Sequence, residues 1–420
     1  MVKRPDTIVD TDVLIVGGGA IGIATAYYLA SHGLGVTVVE QGTVGAACSW
    51  GNAGLIAASQ ITPLASPRAL LQAMEGVFDR SGPVVIRPRL DPGFLRWSTR
   101  FLSQCFQNSS RSRRALNALA VLSSDLHKQL AAEIPVDYGY SQLGWLHVFR
   151  TESGLKHEMR SAAALSDFGI RSVVLDRTQV QSVEPIVSDG VVGGIHFTDD
   201  AHLQPGPFVE TLAERARLKG AAIVTGTTVR GFRSEGSRVS AVLTSQGPIS
   251  CKWLVLAAGA WTRPLGRRLG MNIPIEPAKG HSITFTPDRQ LTVPVMLSEL
   301  HISISPQGAD ARVTSGLEFA GFSTALSERR LARMLKEPAR YIDGLGAKPG
   351  TRWVGFRPLT PDDLPIIGPV RRFANVLIGS GHGTLGITLA PGTARIICDQ
   401  ILGSASPIDS RPFMPSRFRV

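Results

Sequence analysis

The residues of this chain whose types and spacing can do chemistry stand at its opposite ends. In "DVLIVGGGAIGIATAYYLA", Gly17, Gly19 and Gly22 fill a G-x-G-x-x-G frame. The frame follows the apolar run Val13 to Val16, which reads as a buried parallel strand, and it opens a helix-like segment. Gly17 allows the tight turn, Gly19 lets the backbone approach a pyrophosphate, and Gly22 lets helix and strand pack closely. A helix start there presents free N–H groups and a positive dipole end to phosphates. A second strand, "VTVV", ends at Glu40, whose carboxylate can accept hydrogen bonds from both hydroxyls of an adenosine ribose and disfavours a 2′-phosphate. This chemistry is dinucleotide binding. Only this G-x-G-x-x-G is followed by a second strand that ends in an acid, so if the cofactor is FAD its electrons are expected from the organic substrate rather than from NAD(P)H. Near the C-terminus, "VLIGSGHGTLGITLAPGT" (376 to 393) repeats the plan: apolar run, glycine-rich loop, helix-like segment.

Elements must position these turns. Residues 42 to 67 are rich in glycine and small side chains, as suits backbone lying flat against a ligand; an ordinary long loop is the alternative. Apolar spacing of three to four predicts helices in "ALLQAMEGVF", "FLRWSTRFLSQCF", "ALNALAVLSSDLHKQLAAEI", "SGLKHEMRSAAALSDFG" and "PFVETLAERARLKG", and over 324 to 340. Strands are expected in "GWLHVFR", "VVGGIHF" and "AAIVTGTTV". "KWLVLAAGAW" reads as a further strand of the nucleotide region, passing under the cofactor. Strand-like pieces at 279 to 287, 300 to 305 and 311 to 319 suggest a separate antiparallel sheet. Asp199, Asp200 and His202 precede Pro205 and read as turn residues. The expected fold is α/β: a discontinuous Rossmann-like FAD-binding domain (1–90, 195–270 and 345–420) with an inserted α+β substrate domain built on an antiparallel sheet (91–194 and 271–344).

Composition sets the bounds. The chain has 420 residues, 43% hydrophobic and 18% charged, which fits an ordinary globular protein of two domains, or of one domain with a large insertion, and not a disordered one. The first residues carry no signal-peptide pattern, so a cytoplasmic location is expected. Cys48, Cys105, Cys251 and Cys398 are scattered, form no C-x-x-C and read as reduced thiols; no metal site is expected. The formal net charge is +11. A solvated basic surface, an anionic membrane surface and nucleic acid compete to explain it. The densest basic cluster, "RSRR" at 111 to 114, comes without any nucleic-acid-binding signature, so no nucleic-acid partner is expected.

"CSWGNAGLIA", "PAKGHSIT", "GFRPLTPDDLPIIGP" and "GSGHGTLGITLAPGT" follow the N-terminal fingerprint in that order. With it they resemble the superfamily of FAD-dependent D-amino-acid dehydrogenases and glycine, sarcosine and D-amino-acid oxidases. The resemblance spans nearly the whole chain and is strongest to the bacterial D-amino-acid dehydrogenase branch; hydroxy-D-proline dehydrogenases are similar as well. It implies FAD as cofactor, a free amino acid as substrate, and hydride transfer from the substrate Cα to flavin N5. The imine so formed is hydrolysed to a keto acid, or is a cyclic imine when the substrate is a cyclic amine. An oxidase using oxygen and a flavoprotein subunit of an electron-transfer complex remain alternatives. A dehydrogenase needs an acceptor; a membrane quinone fits, with the basic surface aiding peripheral association on the inner face of the membrane.

The resemblance also assigns residues. Arg357 is expected to clamp the substrate carboxylate, since a guanidinium fork matches a carboxylate with two parallel bonds. His382, which could hydrogen-bond substrate or flavin, and Thr384 are expected as catalytic residues in the flavin-facing loop with Gly381, Gly383, Leu385 and Gly386, where backbone N–H groups would stabilise the negative charge of reduced flavin. His281 and His301 are weaker substrate-side candidates, at places where related dehydrogenases tend to have tyrosine. The cofactor is expected to touch Gly17, Gly19, Ala20, Ile21 and Gly22, then Glu40 and Gln41. Further contacts are expected from Ser49, Asn52, Ala53, Gly54 and Leu55, from Val229, and from Ala258 and Gly259. No cysteine stands in a recognisable flavin-linkage pattern.

Overall fold

The computed structural model describes residues 9–61, 65, 82–87, 89–107, 110–346 and 350–420. Two large sheets organise it. The first runs Val229–Glu235, Arg238–Thr244, Gly247–Leu256, Val9–Val16, Val36–Val39, Ala222–Val224. Val376–Ser380 adds to Gly247–Leu256, and Ile366–Pro369 adds to Val376–Ser380. Val9–Val16 pairs in parallel with both its neighbours, and Gly247–Leu256 in parallel with Val376–Ser380. Parallel strands are covered on both faces, which is why Val13 to Val16 and Val376 to Ile378 read as unbroken apolar runs. The helix Ala20–Ser31 is buried nearly all round because it packs between this sheet and the helices Pro205–Leu218 and Ala390–Leu402. Both glycine-rich turns thus leave the same sheet.

The second sheet runs Thr351–Leu359, Glu276–Phe285, Asp310–Phe319, Ile302–Gln307, Val295–Leu297, Trp145–Phe149, Gly193–Phe197, Val173–Asp176. It is antiparallel except at two places: Val295–Leu297 runs parallel to Trp145–Phe149, and Val84–Ile86 adds in parallel to Asp310–Phe319. One face packs Ile283, Ile304 and Val313 under Leu331 and Met334 of the helix Glu328–Lys336. Alternation puts Ser282, Thr284, Arg312, Thr314 and Ser303 on the other face.

Sheet membership departs from the expected boundaries. Val84–Ile86, the end of Gly193–Phe197 and Thr351–Leu359 fall within 1–90, 195–270 and 345–420, yet all pair in the second sheet. The reason is hydrogen bonding at long range, which local pattern does not report. The helix Ser110–Glu133 departs the other way. It was expected with the substrate region, but Leu116, Leu119 and Ala120 share a core with Ile396 and Ile397 of Ala390–Leu402. The predicted helix in 324 to 340 starts at Glu328 and ends in a 3-10 turn over Glu337–Arg340. The predicted helix "ALLQAMEGVF" lies outside the described residues. No helix among the described residues is long and apolar enough to cross a membrane.

Candidate active site

The N-terminal turn is shaped by close approach. Gly17 has φ +116°, and a Cβ on it would stand 2.5 Å from the Ala257 carbonyl oxygen; one on Gly22 would stand 1.9 Å from that of Gly17. Ala20 N donates to Ser49 Oγ at 3.0 Å, so Ser49 ties the small-residue segment to the helix start. Glu40 Oε2 accepts from Gly18 N at 2.7 Å and Oε1 from Gly42 N at 2.8 Å. Two amides therefore fix the carboxylate, each oxygen keeping a lone pair for a ligand. A cavity of about 260 Å³ starts at Glu40, Gln41 and Thr227 to Val229, passes Gly17, Gly19, Ala20 and Ile21, and reaches His382, Gly383 and Gly386. Ala258, Gly259, Ser49 and Asn52 also line it. A long cleft with a glycine turn and helix start midway, and a fixed acid at one end, fits a dinucleotide such as FAD. No cluster able to hold a metal occurs among the described residues.

A second cavity, of about 280 Å³, lies against the second sheet; Cys48 and Asn52 line both cavities and so form the partition between them. Arg357 projects into this second cavity from the edge strand Thr351–Leu359. Its guanidinium lies over Gly280, where a Cβ would come 2.6 Å from Cζ, and Nη1 donates to the Gly316 carbonyl. No carboxylate forms an ion pair with it among the described residues. Burial pushes its pKa down, with Cys48 acting the other way, but a guanidinium stays charged. The Cys48 thiol is itself pushed up to about 11 by burial, so it is not a thiolate at neutral pH. Trp353 lies so close to Gly51 that a Cβ there would meet the indole at 2.0 Å, which accounts for the small residues of this segment.

His382 is buried, and its Nε2 is hydrogen bonded to Thr393 Oγ1 at 2.8 Å. Burial pushes its pKa down to about 3, so the ring is neutral and braces the loop against the helix Ala390–Leu402. Thr384 is exposed on the second cavity, and its carbonyl accepts from Asn52 Nδ2 at 3.4 Å. Asn52 Oδ1 accepts from Gly54 N at 2.8 Å. The C-terminal loop is held from a third side: Ser123 Oγ donates to Thr388 O at 2.6 Å, and His127 Nε2 is bonded to Ile387 O at 2.9 Å.

The structure divides the expected residues between the two cavities. Ala53, Leu55 and Thr384 line the second cavity rather than the first. Gly22, Gly54, Gly381 and Leu385 line neither and support the turns beneath. His301 lines the second cavity with φ +52°, its carbonyl accepting from Ser315 Oγ at 3.2 Å. His281 is part of the same wall, but it shares a strand row with Ile283 on the helix-covered face. Sequence reasoning missed Thr227, Thr228, Trp261 and Phe356 on the first cavity and Trp145, Met296 and Trp353 on the second. The "TGTT" turn after a strand was the one local signal for Thr227 and Thr228. Asp199 and Asp200 are occupied elsewhere: Asp199 accepts from Arg171 Nε at 2.7 Å, and Asp200 from Ser59 Oγ at 2.5 Å.

Comparison with known proteins agrees with this geometry. Residues 12–400 match the protein family described as FAD dependent oxidoreductase (DAO). The chain is 35% identical to a D-amino acid dehydrogenase of Methylobacterium nodulans, covering 97% of this chain and 99% of the relative. It is 34% identical to one of Rhodopseudomonas palustris, covering 97% and 98%. Among solved structures, glycine oxidase from Geobacillus kaustophilus shares the fold with a TM-score of 0.80 at 23% identity, covering 97% of this chain and 98% of that one. L-proline dehydrogenase from P. horikoshii shares it with a TM-score of 0.76 at 20% identity, covering 98% of both chains.

Proposed function

The chain belongs to the FAD dependent oxidoreductase family matched over residues 12–400, and from that premise we propose that it oxidises the Cα–N bond of a free D-amino acid as a dehydrogenase. The curated relatives that carry the name D-amino acid dehydrogenase match it over nearly their full length. The observation that carries the reading to the site is Arg357: a guanidinium without a carboxylate partner among the described residues, facing a cavity that shares Cys48 and Asn52 with the cofactor cavity.

FAD supplies the hydride acceptor; the chain supplies position and charge. Arg357 would hold the substrate carboxylate with two parallel bonds and so fix which Cα–H faces the partition. Gly386 would offer its backbone N–H along the cofactor cavity, where negative charge develops on reduction, while the Gly383 N–H is committed to the Pro358 carbonyl at 2.9 Å. Neutral His382 acts as a brace and not as an acid or base. No strong base is demanded, because a substrate amine that binds neutral can release hydride directly.

Electrons would leave to an acceptor such as a membrane quinone. The helix Pro92–Cys105 supports a peripheral membrane contact. It buries Phe94 and Trp97 and exposes Leu95 and Leu102, with Phe106 following at its end. From Pro92 to Ser124 the chain carries Arg96, Arg100, Arg111, Arg113 and Arg114 and no acidic residue.

The test is anaerobic bleaching of the purified flavoprotein by a panel of D- and L-amino acids, glycine, sarcosine, D-proline and the hydroxyprolines. Bleaching by D-amino acids, with slow re-oxidation in air, is the expected result. Fast re-oxidation would make it an oxidase. A yellow protein that nothing on the panel bleaches would remove the amino-acid reading.

A further inference from the structure

Several cations in the interior have a carboxylate beside them. Lys279 pairs with Glu318 at 3.1 Å, Arg263 with Glu276 at 2.5 Å, and Arg417 with Asp362 at 2.7 Å. Arg312 is different. It is 5% exposed, and no carboxylate among the described residues pairs with it. Its Nη1 donates to the carbonyls of Trp50 (2.5 Å) and Asn52 (2.8 Å), its Nε donates to Thr284 Oγ1 at 2.9 Å, and its Cζ sits 4.8 Å over the Trp50 ring. Asp310 acts on it electrostatically but makes no ion pair with it, and neutral carbonyls offset only part of the cost of burying the charge. Arg357, on the same face of the second sheet, also has no carboxylate partner among the described residues. Two guanidiniums without an ion pair among the described residues thus stand by the segment that holds Cys48 and Asn52, Arg312 on the Trp50 and Asn52 carbonyls and Arg357 within electrostatic reach of Cys48.

We propose that Arg312 is a positioning and charge-setting residue for the redox step. It pins the Trp50 to Asn52 stretch that divides the two cavities, and its charge is left without an ion pair so that it favours the anionic reduced form of the flavin over the neutral oxidised form. Arg357 then matches the one carboxylate that the substrate brings, and Arg312 matches the charge that the substrate's electrons leave behind. No bond is made or broken by Arg312 itself. The inference rests on reading the two cavities as cofactor and substrate sites.

The test is the two-electron reduction potential of the bound flavin, read against redox dyes on purified holoenzyme, in Arg312→Gln and Arg312→Lys. Glutamine keeps a donor for the Trp50 carbonyl and loses the charge. The expected result is a reduction equilibrium at least tenfold less favourable in R312Q, about 30 mV for a two-electron couple, with R312K within threefold of the wild type. Thr284→Asp is the second variant. It leaves Arg312 in place and sets a carboxylate against its Nε, so the potential falls although the partition stays anchored. It decides the matter if R312Q does not retain FAD. A packing role alone predicts a lower melting temperature for R312Q with no change of potential in either R312Q or T284D, and that result would overturn the proposal. Bleaching of the wild type by D-amino acids, measured separately, reports whether the underlying reading of the cavities stands.

Discussion

At the scale of single residues, the site separates charge from acid–base work. With Arg357 as the proposed carboxylate clamp, Arg357→Ala would remove a charge-assisted contact of about 1.5–3 kcal/mol. We expect KM for the amino acid to rise roughly 10- to 150-fold while FAD content stays at one per chain; loss of FAD would show instead that Arg357 holds the fold. The buried histidines make a second prediction. Burial pushes His127, His202 and His281 down to about 4 and His382 to about 3. Each has a folded pKa below the unfolded one, so its contribution to stability is present above about pH 6.5 and is lost as pH falls through the folded pKa. The loss is about 1–2 kcal/mol per histidine between about pH 7 and 5. Asp200, pushed up to about 7 by burial, runs the other way and offsets about one of them. The melting temperature should therefore drop from pH 7 to pH 5, and His127→Gln should flatten the drop; a profile unchanged by that substitution would contradict the assignment.

At the scale of elements, the two glycine turns work because distant pieces hold them. A Cβ at position 22 meets the Gly17 carbonyl at 1.9 Å, so Gly22→Ala must push the opening helix off the first strand. We expect apoprotein that FAD titration does not restore, against a wild type that takes FAD up. The C-terminal turn hangs on the helix Ser110–Glu133. Ser123 Oγ donates to Thr388 O and accepts from Gly392 N, so Ser123→Ala leaves two buried backbone groups unpaired. The expected loss is about 1–3 kcal/mol of stability, read as a lower denaturant midpoint. These elements also mark what the sequence made legible. The strand, glycine frame, helix and Glu40 are contiguous, and their chemistry is local, so the N-terminal turn could be read directly. Arg312 could not. It meets Asn52 across 260 residues, and only the register of the second sheet turns it toward the partition. Trp353 on Gly51 is the same kind of contact: "GN" in a small-residue segment hints that something lies close but not what. His382 was legible as a loop residue, while its commitment to Thr393 needed the helix Ala390–Leu402 in place.

At the scale of the whole molecule, charge and exposed apolar surface coincide. The net charge of +11 says little by itself. Its distribution says more, because Pro92 to Ser124 holds five arginines and no acid and also carries Leu95, Leu102 and Phe106 at 54%, 40% and 73% exposure. Leu95, Leu102 and Phe106 recur at helical spacing on one side of Pro92–Cys105, opposite the stripe that buries Phe94 and Trp97. Apolar side chains flanked by arginines suit the interface of an anionic bilayer, where each basic residue adds about 1 kcal/mol. The holoenzyme should therefore co-sediment with vesicles containing anionic lipid at low salt, weakly with neutral ones, and lose most binding at about 0.5 M salt, where the Debye length is only a few ångströms. Leu102→Ser with Phe106→Ser should weaken binding without changing its salt dependence. Arg96→Glu with Arg100→Glu should abolish it, and in both variants substrate bleaching of the flavin should be unchanged, since these residues line neither of the two cavities. A wild type that ignores anionic vesicles at low salt would remove the membrane contact. If it sediments alone as a dimer that F106S disrupts, the exposed stripe is instead a contact between copies of this chain.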